Sequence, residues 1–382
     1  MGDTSHDIGA LETTQVVADP IDWATARRVG RSVAGRDPFA RSYLGASLER
    51  DFATVTEEAA DLVTAATGLS AGHAVRAKVV DRGAWVDVNV GSMRHMLAPL
   101  AARLADRLGP RPFAVVGRSV AGAELGVLLG FLSKRVLGQY DLLVLDNELD
   151  DELGAFTPEG DTVYYVGSNV LALEKRFAFR PQEFRRWIAI HEVTHRAQFT
   201  GVPWMHSHFL SLVNELLSKV DPDPRSLVAA ARRAADDLRS GNDPLRRGGL
   251  VGLFVTPEQQ LVLDRVQALM SLLEGHGNVV MDDVGTRHVV GAERMSRVLA
   301  ARRAQGGWPG LVSRLLGLEM KMKQYETGER FVRGVLDRAG ERGFAAVWSS
   351  PEALPTLDEL DLPERWLARV HDQGTALASD QG

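Results

Sequence analysis

Pro181-Gln182-Glu183-Phe184-Arg185-Arg186-Trp187-Ile188-Ala189-Ile190-His191-Glu192-Val193-Thr194-His195-Arg196-Ala197-Gln198-Phe199-Thr200-Gly201-Val202-Pro203 carries both a start and a stop for one helix. Proline suits the first helical position, where no partner for its missing N–H is needed, and Glu183 meets the positive end of the helix dipole. Phe179 and Phe184 stand at the positions of a hydrophobic staple across that start. Gly201, able to take the left-handed conformation, and Pro203 beyond it end the helix. Between these signals Phe184, Ile188, His191, His195 and Phe199 project from one face at the helical repeat. Ile190 and Val193 make the middle of the helix apolar nearly all round, so it is expected to be buried at the centre of the fold.

Two imidazoles one turn apart on such a face can grip one metal ion, and Glu192 sits about 100° round from His191, within reach of a water but not itself a ligand. Zinc held by neutral histidine nitrogens keeps an open position in which it lowers the pKa of water towards ~7, and an adjacent carboxylate can take that proton and pass it to a leaving group. The competing explanation is a pair of core histidines bonded to backbone beside a salt-bridged Glu192. Burying two imidazoles and a carboxylate without a metal is the costlier arrangement.

A third ligand is required. The continuation that would supply a third histidine directly fails, because Gln198 and Gly201 stand where glycine and histidine belong. His206 and His208 fall on an expected turn. Glu215 has a suitable distance from His195 but points away from the apolar stripe Phe209, Val213, Leu216 and Val220 of its own helix. Glu274 differs. Thr256-Pro257-Glu258-Gln259 starts a helix on which Leu263, Met270, Glu274 and Met281 share one face, and a carboxylate in an apolar stripe needs a partner. That partner is either zinc or a buried arginine. Asn278, one turn on, is placed to steady a ligand by a hydrogen bond. His276 points opposite to Glu274 on a regular helix; a break at Gly275 or Gly277 would let it act as oxyanion stabiliser or proton donor.

The chain has 382 residues, 45% hydrophobic and 25% charged, which is ordinary for a globular protein. A net charge of -6 supplies no basic field, so nucleic acid is not the expected partner. With no cysteine, disulfides, thiolate nucleophiles and iron–sulfur clusters are excluded, and a metal site must use His, Asp, Glu and water. Residues 1–19 show neither a basic nor an apolar leader segment, and Val120 to Leu137 is interrupted by Glu124, Lys134 and Arg135, so it reads as a buried helix rather than a membrane span. A cytoplasmic protein without membrane attachment is expected.

Along the chain, residues 1–20 and 371–382 read as flexible tails, 21–150 as a mostly helical N-terminal region and 151–370 as the metal-binding region. Helices are expected from Ile21 and over Asp51–Ala66, and Ser92 as the cap of another running to Gly109-Pro110. Val79 to Val86 reads as a turn between extended pieces; Asp141–Leu145 and Thr162–Val166 read as strands. Gly117-Arg118-Ser119-Val120-Ala121-Gly122 lacks the lysine and hydroxyl of a phosphate loop, so the small residues of this stretch are expected to let helices approach closely. The fold class expected is mainly α, α+β with a small sheet, built around the central HExxH helix.

The sequence resembles the zincin-like metallohydrolase family of high-GC bacteria often labelled by association with deazaflavin coenzyme biosynthesis. The resemblance runs from about Asp22 to Val370 and rests on Asp81-Arg82-Gly83-Ala84-Trp85, Val136 to Asp141, Trp187 to Phe199, Pro203-Trp204, Ser271-Leu272-Leu273-Glu274-Gly275-His276, Lys323 to Glu326 and Leu354 to Trp366. It implies a mostly helical protein with His191, His195 and Glu274 as zinc ligands and Glu192 as base, and it implies no substrate. Arg196 and Asn278 depart from general zincin patterns, at positions usually uncharged and usually Asp. The leading expectation is a zinc-dependent hydrolase of peptide or amide bonds with a peptide or small amide substrate. A small-metabolite amidase and a non-catalytic scaffold that binds a protein partner through Trp204, Trp308 or Trp366 are the alternatives. Tyr325 is a further candidate for oxyanion stabilisation.

Overall fold

A computed structural model of the protein describes residues 21–37, 44–70, 74–108, 112–141, 161–218, 257–304 and 318–379. The fold is mainly helical around one three-stranded sheet of order β1-β3-β2. β1 (Arg76–Val80) runs parallel to β3 (Thr162–Val166), and β2 (Gly138–Tyr140) closes the other side of β3 in the antiparallel sense. Thr162-Val163-Tyr164-Tyr165-Val166 is β-branched and aromatic throughout and buried along its whole length, as a central strand covered on both faces must be.

Its side chains alternate between two cores. Val163 and Tyr165 face one that includes Leu48, Phe52 and Val55 of α2 (Leu44–Thr67); Tyr165 stacks on Phe52 at 3.9 Å, and its hydroxyl meets Thr56 Oγ1 at 2.9 Å. Tyr164 and Val166 face the other, with Trp23 of α1 (Trp23–Ala34), Trp85 and Val86 of α3 (Arg82–Leu108) and Leu129 of α4 (Pro112–Leu132). The period-2 pleat therefore joins two helical layers through a single strand. Within the second layer α1 and α4 touch backbone to backbone. A Cβ on Gly126 would lie 2.5 Å from the Ala26 carbonyl oxygen, and one on Gly130 2.5 Å from that of Gly30. The close approach expected of the small residues is present.

After β3 come α5 (Gly167–Phe177), the expected central helix α6 (Pro181–Thr200) and α7 (Met205–Ser218). Then follow α8 (Pro257–His288), α9 (Ala292–Ala304), α10 (Leu318–Ala345), two short 3-10 turns, α11 (Leu357–Asp361) and α12 (Pro363–Ser379). A third core, with Leu272, Phe331, Val335, Leu360 and Trp366, ties α8 to this C-terminal set. No helix of the described residues is long and apolar enough to cross a membrane.

Several local expectations are corrected. Residues 79–86 are the end of β1 and the first turn of α3, where the Asp81 carboxylate accepts the Ala84 N–H at 2.7 Å and starts the helix in place of a turn. Ser92 lies inside α3, its hydroxyl set between the Asp141 carboxylate at 2.8 Å and the Val88 carbonyl at 3.1 Å, and it caps nothing. The strand expected at Asp141–Leu145 begins three residues earlier, and 142–145 lie outside the described residues. Val120 and Val127 of the helix expected to be buried are each 51% exposed. Gly201 ends α6 in a right-handed conformation, with φ of -82°. α12 continues to Ser379, into the stretch read as a C-terminal tail. Strands from either side of residue 150 share one sheet, while 150 itself and 1–20 lie outside the described residues.

Candidate metal centre

The staple expected at the start of α6 is present: the Phe179 and Phe184 rings lie 4.8 Å apart. Nearly every side chain from Phe184 to Phe199 is buried, as expected of a central helix. His191 and His195 lie side by side on it, with their Nε2 atoms 3.2 Å apart. α8 crosses beside them and brings Glu274 Oε2 to 3.8 Å from His191 Nε2 and 3.7 Å from His195 Nε2. Among the described residues these form the one group of histidine and carboxylate side chains with donor atoms all within 4.8 Å of one another. Donors around a tetrahedral zinc stand roughly 3.3–3.5 Å apart, so this set fits such an ion with adjustments of a few tenths of an ångström.

α8 is continuous through Gly275 and Gly277, and both glycines serve close approach, not a break. A Cβ on Gly277 would lie 3.2 Å from His195 Cε1 and 3.4 Å from His191 Cε1, so its absence makes room for the rings. Gly275 meets the backbone of Gly328 on α10. His276 accordingly points away from Glu274. Its ring stacks on Phe344 at 5.3 Å, meets Trp348 edge-on at 5.2 Å, and has Nδ1 2.8 Å from Gln198 Nε2. Burial, reinforced by the charge of His195, pushes it down to about 3, so it is neutral.

Glu192 is buried against β2. Its carboxylate accepts the Tyr140 backbone N–H, and a Cβ on Gly138 would lie 2.7 Å from its Oε1. Burial raises it to about 7; Glu274 adds to the rise, while His195 and the Tyr140 N–H oppose it. A carboxyl poised there suits proton transfer near neutral pH. For His195 burial favours the neutral ring, but Glu274 outweighs it, with Glu192 and Gln198 adding, and the ring rises to about 9. A cation taking the Nε2 lone pair would therefore displace a proton.

A family model for zincin-like metallopeptidases matches residues 21–367. The chain belongs to the zincin-like metallopeptidase family. This zincin-like chain is also similar to a solved structure from Chloroflexus aurantiacus, described as a candidate hydrolase with a novel fold. The two share 29% identity over 92% of this chain and 99% of the other, with a TM-score of 0.67. A comparison with curated proteins gives no match.

The remaining sequence candidates of this zincin-like protein fall elsewhere. Glu215 is paired with Arg265 on the surface, and His206 and His208 lie in the first turn of α7 instead of a loop. Asn278 is 6% exposed, and its Oδ1 finds no hydrogen-bond partner among the described residues. Trp366 is fully buried, and Trp204 donates from Nε1 to the Trp348 carbonyl at 3.0 Å. Trp308 and the Tyr325 side chain lie outside the described residues. Arg196, the unusual charge after the second histidine, is buried and forks onto Asp161 with two 2.7 Å bonds; Asp161 also accepts from the Tyr140 hydroxyl at 3.3 Å. Sequence reasoning missed Gly138, the Tyr140 N–H and the role of Gln198. Gly138 and the Tyr140 N–H act through long-range contacts that no local spacing announces, and Gln198 joins a local contact, to His195, to distant ones with Leu273 and His276.

Proposed function

We propose that the protein is a zinc-dependent hydrolase of peptide or amide bonds, with His191, His195 and Glu274 holding the ion and Glu192 as general base. The observation that carries the reading is the convergence of the two Nε2 atoms and Glu274 Oε2, with the buried Glu192 carboxylate beside them. A scaffold with no metal gains nothing from gathering these groups, whose mutual burial is otherwise costly. Zinc bound there would supply a Lewis acid for the scissile carbonyl and lower the pKa of water in its open position.

The chain's own residues supply the rest. Glu192 takes a proton from the attacking water and delivers it to the departing amine, and the Tyr140 N–H holds the carboxylate for both transfers. The Val166 N–H to Leu137 carbonyl bond and the Asp141 N–H to Thr162 carbonyl bond fix which peptide groups of β2 face β3. By alternation those of Gly138 and Tyr140 face outward, along the side of β2 that pairs with no strand among the described residues; the Tyr140 N–H there goes to Glu192, and the other outward groups are left for a ligand. An edge of this kind accepts an extended peptide as an added strand, which favours a peptide over a small enclosed amide substrate.

Metal content of purified protein, compared with Glu274→Ala, tests the ligand set. Wild type is expected to hold one zinc and the variant to lose affinity well beyond the ~10–100-fold of an outer-shell change. Equal zinc content in the two would remove Glu274 from the set. A second expectation concerns Gly138→Ala. Its new Cβ would sit 2.6 Å from Glu192 Cγ, displacing the carboxylate. Cleavage should fall about 10²-fold with zinc content unchanged. Unaltered kcat would show that Glu192 is not held against β2 during turnover.

A further inference from the structure

We infer that Gln198 is the positioning residue of this centre: its amide fixes the proton of His195 on Nδ1, leaving Nε2 bare for the cation, and ties the imidazole helix to the carboxylate helix. The consequence for metal rests on the reading above. The hydrogen-bond geometry does not.

Gln198 is fully buried and one turn beyond His195 on α6. Its amide meets three groups: the Leu273 carbonyl oxygen lies 2.9 Å from Nε2, His276 Nδ1 2.8 Å from Nε2, and His195 Nδ1 3.0 Å from Oε1. The protonation pattern follows by elimination. A carbonyl oxygen only accepts, so the amide atom facing Leu273 must be the NH2 group. The atom facing His195 is then the amide oxygen, which also only accepts, so His195 Nδ1 must carry a hydrogen. Any further deprotonation of that ring comes from Nε2, the atom directed at His191 and Glu274. The second amide N–H points at His276 Nδ1, so that nitrogen is the bare one and His276 carries its hydrogen on Nε2.

Leu273 is the chain neighbour of Glu274. The amide that orients the second imidazole therefore also sets the distance between α6 and α8 at the residue beside the carboxylate. His276, wedged against Phe344 and Trp348, completes the clamp from behind and keeps the amide from turning over. This gives His276 a positioning role, in place of the direct chemical one expected from its spacing. It also accounts for Gln198 at a place where zincins with a third histidine on the same segment have glycine.

Two measurements test this. In long-range ¹H–¹⁵N spectra of histidine-labelled protein kept metal-free by chelator, His195 is expected to show a slowly exchanging Nδ1–H, in the charged and neutral ring alike. A bare Nδ1, or one exchanging as fast as a free imidazole, overturns the inference. The second is the zinc Kd by chelator competition. Gln198→Met, which keeps the volume and removes the amide, is expected to weaken zinc about 10–100-fold. His276→Phe keeps the ring stack and the Leu273 contact but removes the Nδ1 acceptor, so it is expected to weaken zinc clearly less than Gln198→Met does. Unchanged affinity in Gln198→Met, or an equal loss in His276→Phe, counts against the relay. Should Gln198→Met not fold, the wild-type spectrum decides alone. If wild type binds no zinc, the metal reading falls, while the Nδ1–H result still judges the relay.

Discussion

Glu192→Gln is expected to cut zinc-dependent cleavage of a peptide library by about 10²–10⁴-fold while leaving zinc bound. The amide keeps the size of the carboxylate in its slot against Gly138, so neither the fold nor the three donors need move. It cannot accept a proton. The pH profile supplies a second signature. Glu192 works as a base only when ionised, so the rate should fall as pH drops through its pKa. Burial holds that value up to about 7, and a bound cation would draw it lower. The acid limb is therefore expected at or below about pH 7. Any residual activity of the glutamine variant should lack that limb. Cleavage by the variant at the wild-type rate would end the reading of Glu192 as the base of a hydrolase.

Gly328→Ala is expected to be the most damaging small change to the fold. Gly328 lies where α10 crosses α8, and a Cβ there would collide with the Ser271 carbonyl oxygen. Backbone cannot swing aside as a side-chain tip can, so the helices must separate at this crossing. Overpacking costs roughly 1–3 kcal/mol and occasionally more, and a backbone collision belongs at about 3 kcal/mol. The displaced stretch of α8 includes Leu273 and Glu274, so zinc affinity should fall together with the denaturation midpoint. Retention of both would mean that the α8–α10 contact is looser than its glycines imply.

Much of the centre was legible in the sequence because its first half is local. One helix carries both imidazoles and the Glu192 carboxylate, and its start and stop are written in Phe179, Pro181 and Phe184 and in the residues after Phe199. Glu274 could be found because a carboxylate in an apolar stripe needs a partner. Thr162–Val166 was readable as a strand from its residue types. The rest depends on which distant segments meet. Nothing near Arg196 announces Asp161, and nothing near Glu192 announces Gly138 or the Tyr140 N–H. Ser92 has the residue type of a cap, but inside a helix its hydroxyl finds the Val88 carbonyl one turn back and the distant Asp141 carboxylate instead. The two glycines flanking His276 have the look of a hinge in the sequence, whereas in the fold each leaves space for a neighbour.

The strand against which Glu192 packs precedes the imidazole helix in the chain, whereas the helix of Glu274 follows it, and the aromatic pair behind His276 comes later still. During translation this order matters. A nascent chain exposes the paired imidazoles well before the groups that complete and brace their surroundings have left the ribosome. The three donors and the groups that brace them therefore come together only once Trp348 has emerged, so the site is assembled from segments made well apart in time.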